Sequence, residues 1–91
     1  MAETRSVRVR ISGEVQGVGY RAWAVRRASA LGLSGWVRNL PNGDVEAIFS
    51  GPAESVTAMI IQCREGSRMA TVRAVEEVGP ADPMSGRFGV H

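Results

Sequence analysis

An alternation of apolar and charged residues predicts the first strand of this chain. Val7, Val9 and Ile11 are separated from one another by arginines, and a period of two is typical of a strand that buries one face. Gly13 follows the run and closes it. We therefore predict a half-buried strand that ends at Gly13.

A helix is predicted for residues 21–31, because most of them are good helix formers and Gly32 supplies a C-terminal stop. Small and apolar side chains along this run would form one narrow face that approaches a sheet closely. On this face we place Ala22, Val25, Ala28 and Ser29. Trp23 and Leu31 would flank it.

A hairpin is predicted next. Residues 34–40 and 44–50 form the second and third strands, and Pro41, Asn42 and Gly43 form a short turn between them. A turn of this length makes the two strands antiparallel neighbours.

The second half of the chain is predicted to contain another helix and two further strands. The helix starts after Gly51-Pro52 and ends near Gly66. Its apolar positions follow helical spacing and are Val56, Met59, Ile60 and Cys63. Alternation through Val72, Ala74 and Val78 predicts a fourth strand over residues 70–78, and residues 87–90 form a short last strand.

This element order defines a fold class. We expect an α+β, ferredoxin-like β-α-β-β-α-β sandwich with two helices on one face of an antiparallel sheet and a short extra C-terminal strand. Both β-α-β units would use right-handed crossovers. Since 91 residues suit one domain, we predict a single domain over residues 1–91 with its core at about 6–90.

Composition narrows the class of protein. A hydrophobic share of 44% and a charged share of 22% are ordinary for a soluble domain, and no apolar stretch is long enough to cross a bilayer. One cysteine, Cys63, allows no internal disulfide, and one histidine, His91, gives no metal cluster. Residues 1–5 lack the apolar core of a secretion signal. We predict a cytoplasmic monomer that uses no metal or cofactor and binds no membrane.

The basic residues do not change the predicted class of protein. The formal charge is +2, and all eleven basic residues are arginines, which we interpret first as a compositional habit of the source. Aromatic residues make up only 5% of the chain. Because base stacking needs exposed aromatic side chains on the sheet, we predict no binding to nucleic acid.

A glycine-rich loop between the first strand and the first helix carries the candidate chemistry. It reads Gly-Glu-Val-Gln-Gly-Val-Gly-Tyr-Arg over residues 13–21. Glycines at positive φ leave backbone N–H groups uncovered, so that several can converge on one anion at the mouth of a helix. Arg21 would add a planar charged group. The glycines alone could equally serve a tight turn.

Together with the run Gly-Trp-Val-Arg-Asn over residues 35–39, this loop closely resembles the acylphosphatase family. The resemblance is specific over about residues 6–51 and looser over 56–78. It implies that Arg21 and the backbone of the loop hold a phosphate group and that Asn39 orients the attacking water. The implied loop residues are Gln16, Gly17, Val18, Gly19 and Tyr20.

The resemblance also implies a reaction. Its substrate would be a small acyl phosphate, hydrolysed without a metal to a carboxylate and inorganic phosphate, and free phosphate or sulfate would compete for the same loop. A carboxylate is a good leaving group, so no strong general acid is required. The protein has to hold the phosphoryl group, neutralise its charge and place water in line. The resemblance further implies that the loop and the end of the second strand lie on the same side of the molecule.

The candidate residues have alternative interpretations. Arg21 could pair with a carboxylate at the helix start, and Asn39 could satisfy the backbone of the turn. Glu14 would weaken phosphate binding unless its side chain points to solvent.

We favour structural roles for three other residues. Trp36 is predicted to pack rather than to recognise substrate, and Arg38 to be a solvated strand residue. Cys63 is predicted to belong to the core rather than to react.

Two other classes of function stay open. One is a ferredoxin-like binding module without catalysis, which the shortage of aromatic residues disfavours. The other is an acylphosphatase-like domain of the hydrogenase-maturation carbamoyltransferase type, which we expect less because the chain is short and lacks the cysteines of a zinc finger.

Overall fold

Two helices and five strands follow one another in the predicted order. In the computed structural model, which describes residues 3–91, the elements are β1 (Thr4–Glu14), α1 (Tyr20–Ala30), β2 (Ser34–Asn39), β3 (Val45–Pro52), α2 (Ala53–Glu65), β4 (Thr71–Pro80) and β5 (Gly89–Val90). This is the ferredoxin-like α+β arrangement with a short extra C-terminal strand.

The five strands form one sheet in the order β4-β1-β3-β2-β5. Strand β1 lies between β3 and β4 and is antiparallel to both, and β2 is antiparallel to β3. Strand β5 pairs parallel with β2, so the complete sheet is mixed. Neither helix in the described part of the chain is long and apolar enough to cross a membrane.

Alternation along the strands places the core between the sheet and the helices. Val7, Val9 and Ile11 are buried, as their spacing predicts. The α2 residues that the helical spacing identified are also buried: Val56, Met59, Ile60 and Cys63. The opposite side of the sheet carries no helix, and we call it the open face.

The buried face of α1 differs from the predicted one. Tyr20, Ala24 and Ala28 are buried, whereas Ala22 and Ser29 are exposed. The prediction was right for Ala28 and for Val25, which packs against the core, and wrong for those two residues. The helix begins one residue earlier than predicted, and the large Tyr20 ring sets which side of the helix faces the core.

Strand β4 also differs from its predicted alternation. Val72 and Val75 pack against the core, while Ala74 is exposed and Val78 is 50% exposed. The register between β1 and β4 shifts at Ser12/Gly13, and such a bulge moves the following residues to the other face. Gly13 has φ 124, and a Cβ there would collide with the Thr71 carbonyl oxygen, so the bulge requires glycine.

The chain reaches β5 by crossing the open face from one edge of the sheet to the other. A row of serines, one from each of three neighbouring strands, holds the crossing segment: Ser6, Ser50 and Ser34. The Ser6 hydroxyl donates to the Asp82 carbonyl oxygen at 2.9 Å, and the Ser34 hydroxyl to that of Gly86 at 2.7 Å. The Met84 N–H donates to the Ser50 hydroxyl at 3.0 Å.

Candidate active site

The loop of residues 15–19 connects β1 to α1 and has the conformation that its glycines predict. Gly17 has φ 76 and Gly19 has φ 79, values that side chains with a Cβ rarely adopt. A Cβ at either position would meet nothing within 4 Å. These glycines are therefore needed for the backbone conformation and not for space.

The backbone N–H groups of this loop and of the first turn of α1 are free. Within residues 3–91, the N–H groups of residues 16–22 have no protein acceptor, and the first intrahelical bond runs from the Trp23 N–H to the Gly19 carbonyl oxygen at 3.1 Å. The N-cap residue, Gly19, supplies no capping side chain, and the first turn of α1 contains no acidic residue. The positive end of the helix dipole is thus left open for an anion.

Arg21 lies in the first turn of α1 and is half-buried. A cation at this end of a helix is electrostatically unfavourable, so the alternative interpretation required a compensating carboxylate. Among the residues that the structure describes, no carboxylate lies within 4.0 Å of the Arg21 guanidinium. The electrostatic potential around the first turn of α1 is therefore positive, because no carboxylate among the described residues pairs with Arg21 there.

Strand register places Asn39 at the same end of the sheet as the loop. Asn39, the last residue of β2, pairs with Val45 of β3, and Val45 pairs with Ile11 near the end of β1. The Gln16 side chain closes the remaining gap, since its Nε2 donates to the carbonyl oxygens of Leu40 at 2.8 Å and Asp44 at 2.7 Å. Sequence reasoning gave Gln16 a backbone role only and missed this contact, for which the sequence carries no signal.

The Asn39 side chain leaves its acceptor without a partner. Its Oδ1 atom is buried and accepts no hydrogen bond from the described residues. The turn is instead closed by Asn42, whose Oδ1 accepts from the Asp44 N–H at 3.0 Å, and by the bond from the Leu40 N–H to the Asp44 carbonyl oxygen at 2.8 Å. An unpaired buried acceptor needs a donor such as water.

The residues at the two ends of the loop anchor it to the protein. Val15 is buried, and the buried Tyr20 donates its hydroxyl to the Cys63 carbonyl oxygen at 2.9 Å. Burial raises the pKa of the Tyr20 hydroxyl above its ordinary value, and burial raises the pKa of the Cys63 thiol to about 12. Cys63 is thus an unreactive core residue.

Glu14, which would weaken phosphate binding unless its side chain pointed to solvent, is exposed.

On the open face, the Arg38 side chain is 41% exposed, as expected of a solvated residue. Its Nε also donates to Glu46 Oε1 at 2.9 Å, and Arg8 Nη1 lies 3.4 Å from Glu46 Oε2. Trp36 packs there under both guanidiniums. Its ring centroid lies 5.1 Å from the Cζ atom of Arg38 and 5.9 Å from that of Arg8. Burial alone would raise the pKa of the Glu46 carboxyl, but the hydrogen bonds and charges of Arg38 and Arg8 hold that pKa below its usual value.

The described residues contain no group of three or more histidine, cysteine or acidic side chains that could hold a metal ion. A groove of about 280 Å³ adjoins the far end of the loop. Its walls include Val18, Gly19, Trp23 and Arg26. The loop is therefore open to solvent and accessible to a small molecule.

Comparison with solved structures defines the class of protein first. An acylphosphatase from Coxiella burnetii superimposes with a TM-score of 0.85 at 36% identity, over 97% of this chain and 93% of that one. Acylphosphatase from Bacillus subtilis gives a TM-score of 0.86 at 27% identity, over 98% of this chain and 99% of that one. Both share the two-layer arrangement of this chain.

Sequence comparison agrees with the structures. The sequence model of the family described as acylphosphatase matches residues 7–88. An acylphosphatase of Rhodospirillum rubrum is 49% identical over 82 residues, which cover 87% of this chain and 90% of that protein. The chain belongs to the acylphosphatase family.

Proposed function

We propose that this chain, an acylphosphatase and therefore a hydrolase of acyl phosphates, binds the phosphoryl group of its substrate in the loop before α1. The observation that carries the proposal is the run of free N–H groups over residues 16–22, in which Arg21 stands without a carboxylate partner among the described residues. Such a cluster of donors and positive charge is complementary to a phosphate dianion. The products are a carboxylate and inorganic phosphate.

The loop amides and the Arg21 guanidinium act on the transferred group. Phosphoryl transfer spreads negative charge over three equatorial oxygens, and preorganised donors stabilise that charge most in the transition state. The donors are held by the backbone conformation of Gly17 and Gly19, so no reorganisation is needed as the reaction proceeds. Each well-placed donor is worth roughly 3 kcal/mol in such a site.

Asn39 holds the attacking water. Its unpaired Oδ1 accepts a hydrogen bond from water and so orients the water oxygen toward the phosphorus. A carboxamide is not a base, so it orients the water without removing its proton. We assign the proton to an oxygen of the substrate's own phosphoryl group.

The leaving group needs little help. A carboxylate is the conjugate base of an acid with a pKa of about 4, so it departs without protonation and the reaction needs no general acid. No step in this scheme requires a metal ion, and phosphate or sulfate would compete with substrate for the loop. The cytoplasmic location and the monomeric state stay predictions from the sequence.

Two measurements on the unmodified protein test the proposal. Benzoyl phosphate should be hydrolysed in buffer that contains a chelator, with competitive inhibition by inorganic phosphate. In ¹H–¹⁵N spectra, a phosphate titration should shift the amide signals of residues 16–22 and leave those of Trp36 and Arg38 on the open face unchanged. Shifts that fall on the open face instead would contradict the proposed phosphate site.

A further inference from the structure

The Gln16 side chain makes the only side-chain hydrogen bonds from the loop of residues 15–19 to another element among residues 3–91. Both hydrogens of its carboxamide are used, one for the Leu40 carbonyl oxygen at 2.8 Å and one for that of Asp44 at 2.7 Å. These two acceptors lie on opposite sides of the turn between β2 and β3. The contact therefore joins the loop of residues 15–19 to both ends of the turn in the hairpin that carries Asn39.

Apart from Gln16, the direction of the loop relative to the hairpin depends on packing and not on side-chain hydrogen bonds. Val15 and Tyr20 are buried in the core and Val18 packs against it, but the two glycines lack side chains and the loop N–H groups have no protein acceptor among the described residues. Rotation about this segment would move the bound phosphoryl group relative to Asn39. Gln16 opposes that movement because a two-point contact fixes orientation as well as distance.

We propose that Gln16 is a positioning residue that sets the distance and angle between the phosphoryl group in the loop and the water on Asn39. This inference rests on the proposed function. It assigns to the side chain a role separate from that of the Gln16 backbone N–H, which belongs to the cradle itself. An in-line attack tolerates little misplacement, so the role should be visible in the rate of the chemical step.

The position of the contact predicts a separation of kinetic constants. Binding of the ground-state phosphate depends on the amides and Arg21, which move together with the loop. Attack depends on the relation of that loop to Asn39. Loss of the Gln16 side-chain bonds should therefore lower kcat and leave the inhibition constant for inorganic phosphate nearly unchanged.

The test compares Gln16→Met with Asn42→Ala. Met has about the length of Gln but no donor, whereas Asn42→Ala loosens the same turn without touching Gln16, because the hydrogen bonds of the Asn42 side chain within residues 3–91 all go to Asp44. For Gln16→Met we expect kcat for benzoyl phosphate to fall about tenfold to a hundredfold, with the phosphate inhibition constant within about twofold of the unmodified value. Asn42→Ala should keep both constants and lose only thermal stability.

Three results would overturn the inference. They are an unchanged kcat in Gln16→Met, a higher phosphate inhibition constant with kcat intact, or an equal loss of kcat in Asn42→Ala. If Gln16→Met does not fold, Gln16→Asn, which keeps the donors but is one methylene too short to reach both carbonyls, takes its place with the same expected separation. Failure of the proposed function is distinct, since it would show as absent hydrolysis or absent phosphate inhibition in the unmodified protein.

Discussion

The first turn of α1 and the open face of the sheet both carry arginines, and the two regions treat them in opposite ways. On the open face, Arg8 and Arg38 converge on the buried Glu46 and lie over the Trp36 ring. In the first turn of α1, Arg21 stands among free N–H groups with no carboxylate within 4.0 Å in the described chain.

Under the proposed function, this difference separates a structural arginine from a binding arginine. On the open face, Arg8 and Arg38 already share the Glu46 carboxylate, so an added anion would compete with a partner that is in place. The charges at α1 add to the field of the helix dipole, so folding leaves an unfavourable field that only an incoming anion relieves. Under the proposed function, one of the eleven arginines binds substrate, while Arg8 and Arg38 pair with Glu46 on the sheet.

The largest expected effect is on activity when Arg21 is removed. Arg21→Ala should lower kcat/KM for benzoyl phosphate by about 10²- to 10³-fold, the usual cost of one transition-state donor. Its thermal stability should stay equal or rise, because removing a cation from a helix N-terminus is worth about 0.3–1 kcal/mol. Steady-state kinetics and a thermal melt measure the two quantities.

Arg38→Ala is the matched control for that variant. It should keep most of the activity and lose stability, because Glu46 then has Arg8 as its remaining ion-pair partner within the described residues. An Arg38→Ala variant that is as inactive as Arg21→Ala would remove the distinction between the two regions.

A somewhat smaller effect is expected at Asn39. Asn39→Ala should lower kcat about 10²-fold, the scale of misplacing a reacting group, while phosphate still inhibits with nearly the same constant. Initial rates at saturating benzoyl phosphate, with and without phosphate, check this. Full activity in the variant would mean that water is positioned by another group.

The third effect is on stability and concerns Glu46, the carboxylate that the arginines of the open face share. Glu46→Gln should lower the free energy of unfolding by about 1–3 kcal/mol near neutral pH, because two guanidiniums lose a charged partner, and activity should be kept. Folding lowers the pKa of Glu46 below its ordinary value of 4.5. Its stabilisation is therefore complete above that value and is lost as the pH falls through the lower pKa of the folded state.

Denaturant unfolding of both proteins at several pH values measures this effect. The difference between the unmodified protein and Glu46→Gln should shrink as the pH falls through the lowered pKa of the folded state. A difference that grows on acidification would show that the carboxyl is not stabilised in its charged form.

The smallest expected effect concerns the crossing segment. Ser34→Ala removes the hydrogen bond to the Gly86 carbonyl oxygen and should lower stability by about 0.5–1.5 kcal/mol without changing kcat. Thermal melts beside the kinetic assay detect it. A fall in kcat would mean that the open face and the loop are coupled after all.

Local patterns predicted the elements because each depends on neighbours in sequence. The alternation at Val7, Val9 and Ile11 and the helical spacing of α2 both indicated the buried face correctly. At β4 the same method failed at Ala74 and Val78, since the register shifts at Ser12/Gly13 and Arg8/Val9 are set by pairing with a distant strand.

The sequence predicted those features of the candidate site that depend on local pattern, and it missed the contacts between distant residues. The glycines of the loop need positive φ, which the sequence indicates directly. The contact between Gln16 and the turn of β2 and β3 joins residues more than twenty positions apart, and the pairing of Arg38 with Glu46 depends on strand register. No local pattern contains either contact.

Strand β5 has a consequence for how the protein stays dispersed. Without it, β2 would offer an unpaired row of backbone groups to any other extended chain, which is the usual starting point of β-aggregation. Gly89 and Val90, with the His91 N–H bonded to the Val37 carbonyl oxygen at 2.9 Å, shield the middle of that edge. Removing residues 89–91 should therefore make the protein prone to self-assembly, while kcat of the remaining monomer stays unchanged.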